Sequence, residues 1–405
     1  MVAANRFRKN REKCLAVASW AAAVFGVCAV AENRVGVAAL PASLPRERLT
    51  GAAKLEIVHE FQTQMPVGVA VTSAGRRFIS YPRWEDPLRF TLAELRNGRE
   101  IPYPTSGAIQ NGAKSGPRAN MVSLQGILVD AKDRLWALDT GTINMKPIAP
   151  FVPKLICIDT KTNRVSRIYP LPAAVVPPGG YLNDLRIDLR KGNKGIVYIT
   201  DSGKQPGLVM VDLASGRAWR RMTGHPSVQP EPGFVGFVEG SALFKRPRPG
   251  VATHLNIGSD GITLSPDGSR LYYTPLAGRR LYSVATDALA SPDGTEEQVR
   301  VTLKDHGDKG TADGLGTDRK GRIYVTNWEQ NAVLRRLPSG LFETVVHDDR
   351  LLWPDTLDIG RDNYLYIISN QLHRQGGYNE GRDRREKPYL LTRIKIDAGP
   401  VLLDR

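Results

Sequence analysis

Cysteine is nearly absent from this chain. There are three in 405 residues, and two of them, Cys14 and Cys28, fall within the first 31. Cys157, in the segment KLICID, is the only one beyond that stretch. No internal disulfide framework can therefore hold the fold. A single cysteine in an apolar segment reads as a small core residue rather than a nucleophile. Catalytic signatures are missing as well: the sequence contains no H-E-x-x-H, no G-x-S-x-G, no P-loop and no dinucleotide fingerprint. The histidines, His59, His225, His254, His306, His347 and His373, are scattered. Nor is there a basic stripe interleaved with aromatics, although the net charge is +15. The positive residues are spread through turns, and the densest cluster, Arg382–Lys387, includes acids. Nucleic acid is thereby excluded as a partner.

One apolar run stands out, Cys14–Ala31, interrupted only by Ser19. Arg6, Arg8, Lys9, Arg11 and Lys13 precede it, and Ala29-Val30-Ala31 closes it as an A-x-A cleavage site. Residues 1–31 are expected to be a secretory signal removed on export, leaving no stable membrane insertion and a secreted or periplasmic protein. Residues 32–53, with Pro41 and Pro45, read as a linker, and residues 54–405 as one domain.

What the rest of the chain has is a repeat. Asp260–Val284, DGITLSPDGSRLYYTPLAGRRLYSV, reads as three short strands joined by tight turns. The Pro-Asp-Gly turn combines proline's preset φ with glycine's freedom. Related copies lie at Pro66–Pro82, Gln125–Gly141, Asn183–Gly203, Ala312–Leu337 and Asp355–Asn370. Anchored at Gly68, Gly126, Asp184, Gly261, Gly314 and Thr356, they are 58, 58, 77, 53 and 42 residues apart. Short strands repeating at this period predict an all-β six-bladed β-propeller, whose blades bury their faces by stacking around a channel. Lys54–Phe61 alternates like an amphipathic strand. It is expected to pair with Tyr389–Ile396 and close the ring, because an open sheet edge is a liability. Arg83–Gly116, Thr142–Pro153 and Met222–Thr253 read as long insertions, candidate lids or binding loops. Gln371–Pro388 is expected to cover one face of the ring or to be mobile.

Aligning the copies exposes two columns. The residue at the start of each innermost strand is Val67, Gln125, Asn183, Asp260, Asp313 or Asp355. These starts should ring one mouth of the channel. Converging carboxylates raise one another's pKa and call for a cation, a cationic ligand or hydrogen-bond donors. The second column follows the middle strand: Tyr81, Asp139, Asp201, Pro275, Asn327 and Ser369, with Asn370 beyond. The ligand-binding candidates are Gln125, Asn183, Asp184, Asp260, Asp313, Asn327, Asp355 and Asn370. The competing reading is structural: such residues often bond backbone N–H groups and lock adjacent blades.

GILVDAKDRLWALDTG, IVYITDSG, GITLSPDGSRLYYTPLAGRRLYSVATDAL, NWEQNAV, VVHDDRLLWPDTLDI and IISNQLHR resemble, in order, motifs of the major royal jelly/yellow protein family. The likeness runs from about Met121 to Asn370. It implies a six-bladed propeller and secretion. Insect members of that family include proteins linked to dopachrome conversion and salivary proteins that bind biogenic amines in the channel, so an amine ligand is implied here too. A wider resemblance is to gluconolactonase/regucalcin-like propellers, metal-dependent lactonases. Asn183-Asp184, Asp260-Gly261 and Asp313-Gly314 are similar to their strand starts, but uncharged Gln64 falls near their metal-binding glutamate.

The expectation is an exported propeller that binds a small amine-bearing or aromatic molecule in its channel, with isomerase activity of the dopachrome-converting kind implied by that family likeness. One alternative is a lactonase or esterase in which Asn183, Asp260 and Asp313 hold Ca²⁺ or another divalent metal. The other is a non-catalytic interaction scaffold. The sequence names no cofactor.

Overall fold

A computed structural model describes residues 48–49, 54–84, 86–104, 120–147 and 152–404. The expected signal peptide, and all of the expected linker except residues 48–49, lie outside the described residues. Six sheets, each built on four antiparallel strands and one of them extended by a fifth short strand, are arranged as a six-bladed β-propeller. The inner strands are Gly68–Val71, Leu124–Val129, Leu182–Asp188, Ser259–Leu264, Leu315–Thr317 and Pro354–Ile359. They touch in ring order, the sixth against the first. Blade 4 is the segment first singled out: Ser259–Leu264, Arg270–Pro275 and Arg280–Ala285, with Lys304–Asp308 outermost. Its first turn forms as the sequence dictates. Gly268 takes φ +70°, and Asp267 accepts from Ser265 Oγ and the Ser269 N–H.

Ring closure is as expected. Glu56–Phe61 is the outermost strand of blade 6, antiparallel to Tyr389–Lys395, with Glu60 opposite Leu390 and Phe61 opposite Tyr389. Strands from the two ends of the domain thus share one sheet. Within the stretch read as a linker, Arg48–Leu49 adds a short parallel strand beside Phe342–His347 of blade 5.

The reading of Arg83–Gly116 as an insertion needs correction. Its middle forms the outer half of blade 1, Leu92–Arg96 and Arg99–Pro102. Asn97 and Gly98, at φ 49° and 71°, make the two-residue turn between them. An Asn-Gly pair with two positive φ angles is the hairpin signal that the sequence reading passed over. The stretches Thr142–Pro153 and Met222–Thr253 each carry a small hairpin, Thr142–Ile143 with Lys146–Pro147 and Gly236–Val238 with Ser241–Leu243. Cys157 is buried in blade 2, where burial pushes its thiol up.

Glycine at the inner strand lets neighbouring blades approach. A Cβ on Gly314 would lie 2.6 Å from the Asp355 carbonyl oxygen of the next blade, and Gly126 and Gly261 meet the Asn183 and Asp313 carbonyls the same way. Hydroxyls complete the join. Ser80 Oγ donates to the Gln125 carbonyl at 2.6 Å, Thr200 Oγ1 to that of Asp260 at 2.6 Å, and Thr326 Oγ1 to that of Asp355 at 2.8 Å. The tail closes the channel's other end, where Pro400–Leu403 line a cavity of about 100 Å³ with Arg186 and Asp358.

Candidate functional site

Five of the six inner strands deliver a polar residue, at or just before their start, to one mouth of the channel. In blades 2, 3, 4 and 6 the pairing of the inner strand slips just there, between Leu124 and Ile127, Leu182 and Leu185, Ser259 and Ile262, and Pro354 and Leu357. A local slip frees the side chain from the regular pleat and re-aims it. Gln125, Asn183, Asp260, Asp313 and Asp355 thereby line one cavity of about 600 Å³. Its walls are largely apolar, with Trp84, Ile257, Leu276, Leu372 and Tyr378 among them. The covering segment, expected at Gln371–Pro388, supplies two of these. It is not loose: Gln371, Leu372, His373, Gln375 and Tyr378 are buried. Arg385 ties it to Asp86 at 2.7 Å, and His373 to Glu239 at 2.8 Å.

The polar floor is wired in one direction. Trp84 Nε1 donates to Tyr181 Oη at 2.8 Å, and Tyr181 Oη donates to Gln125 Oε1 at 2.9 Å. Gln125 Nε2 donates to Asn183 Oδ1 at 3.1 Å, and Asn183 Nδ2 to Asp260 Oδ2 at 2.6 Å. Trp353 Nε1 donates to Asp313 Oδ2 at 2.7 Å. Asn370 Nδ2 donates to Asp355 Oδ2 at 2.5 Å, with Thr356 Oγ1 on the other oxygen at 3.1 Å. These donors to the three carboxyl groups are all neutral. Burial, then like charge, pushes Asp260 well up. Burial and neighbouring carboxylates do the same to Asp355. Burial raises Asp313 to about 7 against the pull of Trp353. Asp260 and Asp313 interact directly, and Asp260 is the partner pushed toward the protonated form. Trp353 reaches Asp313 from a left-handed backbone, φ 55°, costly for a bulky residue and typical of functional sites. It is stacked between Trp328 at 4.6 Å and His373 at 5.8 Å.

The other three candidates do not line the cavity. Asp184 lies on the inner strand of blade 3, 3.8 Å from Arg186, and burial raises it. Asn327 accepts from Thr311 Oγ1 and the Gln330 N–H, a lock at the blade's end. Asn370 acts behind Asp355, also donating to the Pro66 carbonyl and accepting the Leu372 N–H. The second column is otherwise structural. Asp139 accepts three backbone N–H groups and pairs with buried Lys154 at 2.8 Å. Asp201 accepts from the Tyr181 and Gly203 N–H groups and pairs with Arg220 at 2.7 Å. The sequence reading missed Tyr181 and Trp353. Both stand two residues before a column position, and an aromatic recurring at that offset was the available signal.

The lactonase alternative fares poorly on its own donors. Asn183 turns its amide nitrogen, not its oxygen, toward Asp260. Gln64 spends both ends of its amide on blade 1, donating to the Phe90 carbonyl and accepting the Arg89 N–H. As arranged, these residues do not fit a divalent cation.

The sequence model of the family described as Major royal jelly protein matches residues 122–399. Protein yellow of Drosophila yakuba is 27% identical over 359 residues, 82% of this chain and 62% of that protein. Protein yellow of Drosophila melanogaster is 26% identical over 370 residues, 84% of this chain and 64% of that protein. The chain thus spans about three fifths of the length of these relatives. Among solved structures, a gluconolactonase from Xanthomonas campestris superposes with a TM-score of 0.50. It is 14% identical and covers 85% of this chain and 90% of its own, a likeness of fold alone.

Proposed function

The chain belongs to the major royal jelly protein family, and from that membership and its acidic channel mouth we propose that it is an exported propeller that binds a small aromatic amine. The observation that carries this reading is the trio of buried carboxyl groups supported only by neutral donors. A buried carboxylate is stable when it meets a positive partner. Among the described residues none of the three has one: the cavity's cations, Lys204 and Lys245, are on loops. An ammonium group from a ligand supplies the missing charge, and the apolar wall with Trp84 and Tyr378 suits a ring. The volume suits a molecule of that size.

A second reading rests on the same pair of groups. Burial and like charge favour a proton on Asp260, and Asp313, raised to about 7, can take one, the equipment of a proton-shifting isomerisation on the bound molecule. Thermal-shift screening with aromatic amines tests the binding reading. Stabilisation by amines, and none by the corresponding neutral alcohols, is expected. No shift with any amine at millimolar concentration contradicts it.

A further inference from the structure

We propose that the ligand also carries a carboxylate, at the end opposite its amine, and that Lys204 and Lys245 receive it. This inference rests on the amine reading and narrows it. The charged residues lining the cavity are sorted by depth. Asp260, Asp313 and Asp355 are buried at or just before the inner strands, whereas Lys204 is exposed and Lys245 half-buried, both on loops.

The rim is built rather than incidental. Lys245 and Thr253 exchange backbone hydrogen bonds of 2.9 and 3.0 Å, and the Arg246 N–H donates to the Gly377 carbonyl of the covering segment at 2.8 Å. That fixes the loop over the mouth. Lys245 Nζ sits 4.9 Å above the Tyr378 ring, itself part of the wall. The Lys204 stem runs along Gly179, whose backbone has φ +84°, and its N–H donates to the Gly179 carbonyl at 2.9 Å. The ion pairs that lysines make among the described residues involve others, Lys132, Lys154, Lys191 and Lys320.

Two cations at the entrance repel a plain amine on its way in. A dipolar molecule reverses that effect, with its ammonium drawn to the floor and its carboxylate held at the rim. The mouth thus discriminates among aromatic amines by what lies at the far end of the ring.

The test compares phenethylamine with its para-carboxylate derivative by calorimetry on the full protein. Wild type should bind the carboxylate derivative about three- to tenfold tighter, the range of a partly exposed ion pair. In the Lys204→Met, Lys245→Met double variant that advantage should vanish, while phenethylamine binds as well or better. Equal affinity of wild type for the two probes overturns the inference, as does an equal loss of both in the variant, and either leaves the amine reading standing. If neither probe binds wild type, both are overturned together.

Discussion

Asp313 accepts the Trp353 indole N–H on one oxygen and faces Asp260. Its raised pKa, about 7, has a consequence for stability. In the unfolded chain the group titrates near 4. Between those values the folded state binds the extra proton, so this contribution to stability falls as pH rises from about 4 through about 7. Asp313→Asn removes it. At about pH 8 the variant should be more stable than wild type by ~1–3 kcal/mol, with the difference shrinking toward about pH 5. Parallel melting profiles across that range would contradict the assignment. The same sign governs binding. An ammonium enters a site that must first give up a proton, so affinity should fall up to about tenfold per unit as pH drops below 7. Titration in buffers of different ionisation enthalpy counts the protons released, and none released would sink the claim.

At the scale of the strand, the joins between blades depend on absent side chains. Gly314→Ala places a methyl group 2.6 Å from the Asp355 carbonyl, a backbone atom that can move only with its blade. A loss of about 1–3 kcal/mol is expected in denaturant unfolding, the range of overpacking. A variant as stable as wild type would mean that the inner strands are not in this contact. This is also where the sequence was legible and where it was not. The strand–turn–strand copies were readable because short apolar strands and the polar turns between them are local chemistry, and the column Gln125, Asn183, Asp260, Asp313 and Asp355 followed from their alignment. The outer half of blade 1 carries its own local signal, Asn97-Gly98, but its short strands lie outside the repeated strand–turn–strand unit and so drop out of the alignment. The partition of polar residues into cavity and lock was also hidden. Asp139 and Asp260 look alike in sequence, and only tertiary pairing gives one Lys154 and the other a neutral amide.

For the whole molecule, closure joins Glu56–Phe61 to the last blade, and Arg393 adds a 2.8 Å ion pair to Glu56. Deleting residues 54–61 should lower the melting temperature of the entire ring by several degrees, since a bared edge strand loses its ladder partner. A truncated protein that melts like wild type would refute closure. The ring matters because it holds three acids from consecutive blades in one mouth, and binding there is the central claim. Its most direct test is calorimetric titration of phenethylamine into wild type and Asp313→Asn at about pH 8, above the pKa of about 7 to which burial raises Asp313. Affinity should drop about 10- to 100-fold in the variant while the fold is retained, the worth of a charge-assisted contact. Equal affinity in the two proteins would contradict it.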